Sequence, residues 1–307
     1  MADLLIARHL LPAKAAARRP DRSHPTQAAL FQRPIFIVAA PRSGSTMLFE
    51  ALQMNAALWS TGDESHQAFE AIPELNVAAR GFTSNALTAT DASPAVVQRL
   101  EATFATQFRD CDGHTVVRPL RFLEKTPKNA LRIPFLRAAF PDVLFIQLVR
   151  EPRPSLGSMI DAWQSGRFVT YRELPGWSGP PWSLLLIPGW RELVGRPLAE
   201  IVARQWAVAN QTMLDDLADL PESQRCLVRY EDLLGDRAGQ IRRLCEFSGV
   251  PFGPRMQQLC AGDLPLSRYT LSQPAADKWR RHEAAIEAVM PQVAAVAERL
   301  GAAVPVG

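Results

Sequence analysis

Short runs of consecutive apolar residues alternate along this chain with stretches whose apolar positions recur every three or four residues. Ile35–Ala39, directly after Pro34, is a continuous apolar run that predicts a buried parallel strand. Pro41 through Thr46 are small and polar, and Met47, Leu48, Ala51 and Leu52 then recur at helical spacing. The order there is strand, tight loop, helix. Ser93-Pro94 predicts an N-cap with proline at the first helical position, and Val97, Leu100, Phe104 and Phe108 mark one face of the helix that follows. Residues 120–124 predict a short strand running into Glu124-Lys125-Thr126-Pro127, and a helix is expected from near Pro134 to just before Pro141. Val143–Val149 is a second strong buried strand, with Leu156, Met159, Ile160 and Trp163 on a helix directly after it.

Residues 164–197 break the pattern and are rich in Gly, Pro and Trp. A long helix resumes through Leu198, Val202, Trp206, Ala209, Met213 and Leu217. Cys226–Tyr230 predicts a third strand, leading into a helix around 237–247, and Ile286, Val289, Val293, Val296 and Leu300 predict a C-terminal helix. Strands alternating with helices, without a fixed-period repeat, predict an α/β fold: a P-loop-like parallel sheet flanked by helices on both faces. The expected division is a basic N-terminal arm, 1–33, and one domain, 34–307, carrying an aromatic-rich insertion at about 164–197.

Composition narrows the chemistry. The chain has 307 residues, 47% hydrophobic and 21% charged, an ordinary globular balance. The net charge of +3 is carried by the arm, where Arg8, Lys14, Arg18, Arg19, Arg22 and Arg33 outnumber Asp3 and Asp21. The rest is close to neutral, so a nucleic-acid partner is not indicated. No run approaches the length of a membrane span, and the first residues lack the apolar core of a secretory signal. Cys111, Cys226, Cys245 and Cys260 form no C-x-x-C pair, and the histidines show no metal-ligand spacing. A cytoplasmic protein with reduced thiols is expected.

Three loops carry candidate chemistry. Pro41-Arg42-Ser43-Gly44-Ser45-Thr46 lies between a strand and a helix, where backbone N–H groups converge and favour an anion. Gly44 permits the turn, Ser45 and Thr46 add hydroxyls, and Arg42 adds fixed charge. This is a phosphate cradle without the G-x-x-x-x-G-K-[ST] of a Walker A loop. Arg150 stands at the carboxyl end of the second strand, with Ser158 on the next helix, a pairing suited to a second phosphate. Taken alone, Arg150-Glu151-Pro152-Arg153 is also what an ordinary surface charge cluster looks like. Lys125 ends the strand between them, where it can reach charge developing on a transferred group, or equally be a solvated lysine.

Together, and in this order, these elements resemble the nucleotide-dependent sulfotransferases. The likeness is closest to the branch holding tyrosylprotein sulfotransferases and many bacterial relatives. It includes Gly62-Asp63-Glu64 after the first helix, Lys125-Thr126-Pro127, Leu148 through Ser158, Arg229-Tyr230-Glu231-Asp232-Leu233 and Asp277-Lys278-Trp279. The resemblance implies the sulfotransferase fold and 3′-phosphoadenosine 5′-phosphosulfate (PAPS) as donor. The product it implies is 3′,5′-adenosine diphosphate (PAP), made without a metal. It implies a nucleotide site of Arg42, Ser43, Gly44, Ser45, Thr46, Arg150, Ser158 and Tyr230. The Gly-x-x-Gly-x-Trp-Lys loop of the cytosolic branch is absent, which leaves Ser272 and Lys278 as local candidates for closing over the 3′-phosphate.

The resemblance implies catalysis by Glu64 as base, with Arg42 and Lys125 on the leaving phosphate. A carboxylate placed after the first helix can also face the phosphosulfate across the cleft. His66 and His114 are rival bases. The acceptor is expected to be a hydroxyl-bearing small molecule, carbohydrate or peptide, held by aromatics of Phe168–Trp190, which alternatively pack as core. A homodimer is left open. A P-loop kinase-like phosphotransferase would share the cradle but needs the missing Gly-Lys-[Ser/Thr]. A metal-dependent glycosyltransferase would use Asp110-Cys111-Asp112, which is otherwise a solvated turn.

Overall fold

The computed structural model describes residues 30–115, 120–262, 266–273, 275 and 277–303. All of the expected basic arm before Leu30 lies outside the described residues. In chain order the elements are β1 (Ile35–Ala39), α1 (Ser45–Leu52), α2 (His66–Glu70), α3 (Pro94–Gln107), β2 (Leu123–Lys125), α4 (Ile133–Ala139), β3 (Leu144–Val149) and α5 (Pro152–Ser165). There follow β4 (Val169–Tyr171), β5 (Trp182–Ser183), α6 (Leu198–Leu217), β6 (Arg225–Arg229), α7 (Tyr230–Gly235), α8 (Arg237–Ser248), α9 (Pro254–Ala261) and α10 (Glu283–Ala303).

The main sheet has the order β2-β1-β3-β6, and its strands all run parallel. β1 and β3 are buried at every residue, as continuous apolar runs in a two-sided sheet must be. Successive side chains of β1 serve opposite faces. Phe36 and Val38 join the core beneath α3, α4, α5, α6 and α10, and Ile35, Ile37 and Ala39 join the core beneath α1, α8 and α9. On the first face Phe122 packs edge-on or tilted against Phe31, Phe36, Phe104, Phe108 and Phe140, with ring centroids 4.7–5.6 Å apart.

The expected elements are present with small shifts. β6 ends one residue earlier than the expected strand Cys226–Tyr230, because Tyr230 opens α7. In α3, Ser93 accepts the Val96 N–H as its cap, and the buried face starts at Val96 while Val97 is only half-buried. The segment 164–197 is partly regular: β4 and β5 form an antiparallel pair. Two of its three tryptophans are core, and Trp177 packs half-buried against them. Trp182 and Trp190 are fully buried and pack with Trp163 and Trp177. Each of the four indole N–H groups has an acceptor: Gln205, Pro180 O, Leu185 O and Phe82 O.

Topology positions the site. From β1 the chain moves outward to β2 on one side, and β3 then lies on the other side of β1. The β1–β3 boundary is therefore a switch point, where loops leaving the carboxyl ends diverge and open a crevice. The loop after β1 and Arg150 after β3 both emerge there.

Candidate active site at the sheet's carboxyl edge

The loop after β1 is shaped by one glycine. Gly44 has φ 92° and ψ 11° and precedes α1. A Cβ at this position would lie 2.4 Å from two ring carbons of Tyr230, so the backbone conformation and the close approach both require glycine. The first helical bond of α1 runs from Leu48 N to Gly44 O, which leaves the N–H groups of Ser45, Thr46 and Met47 pointing out of the helix end. Ser43 is buried beneath the loop, whereas Arg42, Gly44, Ser45 and Thr46 line a cavity of about 890 Å³.

Cations gather over this cradle. Arg42, itself at φ 67°, donates from Nε to Ser158 Oγ at 3.3 Å and from Nη2 to Tyr269 O at 3.0 Å, and its guanidinium stacks 4.5 Å from the Phe168 ring. Arg150 donates to Arg42 O at 3.1 Å and stacks 4.4 Å from the Tyr230 ring, while its Nε is buried without a partner among the described residues. Burial, and next the Arg150 charge, push the Arg42 guanidinium down to about 10. Lys278 is lowered by burial and by Arg42 and Arg150 together, so three cations share one region. Like charges held this close in a partly dry cleft favour an anion between them. Ser158, Tyr230, Ser272 and Lys278 all line the same cavity.

Across the cradle stands a buried ion pair. Lys125 ends β2 and is 1% exposed. Its Nζ donates to Thr46 Oγ1 at 3.0 Å and forms an ion pair with Glu64 Oε1. The other Glu64 oxygen meets His66 Nε2 at 2.7 Å. Burial pushes the Glu64 carboxyl up, but the His66 hydrogen bond and the Lys125 charge outweigh it and hold the group at about 2. Glu64 and His66 line the cavity, and Lys125 lies one layer behind them, under the Tyr269 ring at 5.5 Å.

Several residues here had no signal in the sequence. Tyr269 spans the cleft: its carbonyl takes Arg42 and its hydroxyl donates to Asp63 at 2.7 Å. Arg268 pairs with Glu50 and Asp63. Asp161, one helical turn beyond Ser158, holds the C-terminal turn through Arg281, His282 and Lys278. None lies in a motif, and no local spacing marks them. Beyond Glu64 the wall is Pro127, Phe168, Val169, Leu184 and Leu185, with Glu70 and Lys128 as an ion pair.

Other candidates sit elsewhere. His114 and Asp110 bond to each other, Asp112 pairs with Arg255, and none of these lines the cavity. Among the described residues there is no cluster of three or more metal-ligating side chains. No helix among them is long and apolar enough to cross a membrane.

A family model described as "Sulfotransferase family" matches residues 34–254. Protein-tyrosine sulfotransferase A of Caenorhabditis elegans is 24% identical over 241 residues, covering 76% of this chain and 55% of that protein. The chain thus spans about half the length of the curated relative it matches. Among solved structures, the sulfotransferase domain of a Synechococcus olefin synthase aligns at 20% identity with a TM-score of 0.48, over 89% of this chain and 97% of that one. A mouse sulfotransferase complexed with PAP aligns at 15% identity with a TM-score of 0.41, over 80% and 70%.

The Glu64 environment has a consequence for stability. Its carboxyl falls from 4.5 to about 2 on folding, which is worth roughly 3 kcal/mol. A depressed carboxylate stabilises the fold fully above its unfolded value and loses that contribution as pH falls through the folded one. Urea unfolding of wild type and Glu64→Gln is expected to differ most near pH 7, and the gap should close between pH 4.5 and 2. A gap independent of pH would contradict this environment.

Proposed function

The chain belongs to the sulfotransferase family, and we propose that it transfers a sulfuryl group from PAPS to a hydroxyl acceptor by in-line displacement, with Glu64 as general base. The observation that carries this reading is the convergence, at one switch point, of a helix N-terminus, Arg42, Arg150, Ser158 and Lys278 opposite the Glu64–Lys125 pair.

The two ends of one nucleotide suit two parts of the cleft. The 5′-phosphosulfate fits the N–H groups and hydroxyls of Ser45 and Thr46 beside Arg42. The 3′-phosphate fits Arg150, Ser158 and Lys278, with Ser272 nearby. Arg150's unpartnered Nε supports this, since a buried guanidinium donor without an acceptor is costly unless a ligand supplies one. Asp161 holds the turn that carries Lys278 and so stands in for the missing cytosolic-type loop.

In the reaction, the acceptor oxygen bonds to sulfur as the bond from sulfur to the bridging oxygen breaks. The electron pair stays on the 5′-phosphate, and the acceptor proton passes to Glu64. Arg42 and Lys125 meet the charge that grows on the leaving phosphate, so preorganised side chains supply the electrostatic stabilisation. The products are a sulfate ester and PAP. The acceptor enters past Phe168, Val169, Leu184 and Leu185, a wall suited to a hydroxyl carried on an apolar body.

Arg150→Ala is expected to weaken PAPS binding far more than binding of adenosine 5′-phosphosulfate, which lacks the 3′-phosphate. Calorimetry with both ligands checks this, and equal loss for the two would remove Arg150 from the 3′-phosphate site. Turnover of labelled PAPS is expected to fall roughly 10²–10⁴-fold in Glu64→Gln, with donor affinity nearly unchanged. In Lys125→Met it should fall about 10²–10³-fold, with PAP binding also weakened. Full turnover in Glu64→Gln at saturating acceptor would move the base to His66.

A further inference from the structure

Glu124 precedes Lys125 on β2, is 1% exposed, and sits in register with Phe36 of the central strand. Such a position ordinarily takes an apolar residue, since a buried carboxyl is costly unless its oxygens are satisfied. Both are. One accepts from Thr126 Oγ1, and the other accepts from Asn129 Nδ2 at 2.5 Å. Thr126 Oγ1 in turn accepts the backbone N–H of Ser65 at 2.8 Å, and Ser65 follows Glu64.

The direction of this chain is set at its far end. Arg132 is fully buried and can only donate; its Nη1 approaches Asn129 Oδ1 at 3.4 Å, which turns the Asn129 amide nitrogen toward Glu124. Glu124 then takes the single hydroxyl proton of Thr126, which leaves a Thr126 lone pair for Ser65 N–H. The strand end carrying Lys125 and the loop carrying Glu64 are thereby tied together by a contact that neither catalytic side chain makes.

Resting on the functional reading above, we propose that Glu124 is a positioning residue that, through the Thr126 hydroxyl, holds Glu64 and Lys125 in register for sulfuryl transfer. Burial pushes the Glu124 carboxyl up to about 7, against the Thr126 hydrogen bond and the Lys125 charge. The groups that face it are Lys125, Glu64, Ser65, Thr126, Asn129 and Arg132. Protonation near neutral pH would put a donor where the network needs an acceptor, so kcat should rise with pH through that range.

The test uses labelled PAPS turnover, its pH profile and PAP calorimetry on the full chain. Thr126→Val removes the hydroxyl link without touching a charge. Its kcat is expected to fall about tenfold or more with PAP affinity held within about twofold, because a small misplacement of reacting groups is costly. Thr126→Ser should restore turnover. Glu124→Gln should set its amide against the Asn129 amide, lower kcat similarly and flatten the rise near neutral pH. Adding Asn129→Asp returns an acceptor to face it and should recover turnover. Wild-type kcat in Thr126→Val, or no recovery in Glu124→Gln/Asn129→Asp, overturns the proposal. If the wild-type protein neither binds PAP nor turns over PAPS, the functional reading falls and this proposal falls with it.

Discussion

A buried ammonium has to be neutralised where it lies, and the ion pair between Lys125 and Glu64 is the constraint around which the carboxyl edge of the sheet is arranged. β2 delivers the lysine, the first turn of α1 delivers Thr46 as its second acceptor, and the 61–66 segment delivers the carboxylate. Tyr269 lies over the pair and is itself anchored to Arg42 and Asp63. Together with the His66 hydrogen bond, the pair also has a cost for the catalysis proposed above. A carboxyl held at about 2 is a weak proton acceptor at neutral pH. On the proposed reading, attraction of Lys125 to a donor's leaving phosphate would loosen its hold on Glu64 and raise the carboxyl toward a useful strength, with the His66 hydrogen bond still in place. Under that proposal, donor binding and activation of the base are one electrostatic event.

The sheet explains why these groups meet. β1 and β3 lie side by side, yet the chain leaves them in opposite directions, and the gap at their carboxyl ends is open to a ligand. Gly44 lets the first loop pass under the Tyr230 ring, and Arg150 bridges back from β3 to the Arg42 carbonyl. Burial lowers the pKa of all three cations, and their neighbouring charges add to this for Arg42 and Lys278, an effect that an incoming anion would offset.

The strands were legible because a two-sided sheet demands unbroken apolar runs, and Ile35–Ala39 and Val143–Val149 have no other explanation of comparable economy. The cradle was legible because glycine, hydroxyls and arginine fall in one short loop between a strand and a helix. Tyr269, Arg268 and Asp161 were not. Their roles arise from contacts more than a hundred residues apart in the chain, which no local spacing encodes. The tryptophans of 164–197 were ambiguous for a different reason. An indole suits a core and a ligand wall equally, and only the packing of Trp182 and Trp190 against Trp163 and Trp177 assigns them to the core, leaving Phe168 and Leu184 at the cavity. Glu124 closed the expected strand 120–124 with no role assigned to it; only its burial reveals a structural carboxyl.

Exchange of Lys125 between Glu64 and a bound phosphate is the claim on which donor recognition and base activation both depend. Carbon-detected NMR of the glutamate side-chain carboxyls, with Glu64→Gln to assign the Glu64 signal, follows its titration with and without PAP. The expected result is a carboxyl that titrates near 2 in the free protein and moves clearly upward when PAP is bound. A Glu64 titration left unchanged by saturating PAP would contradict it.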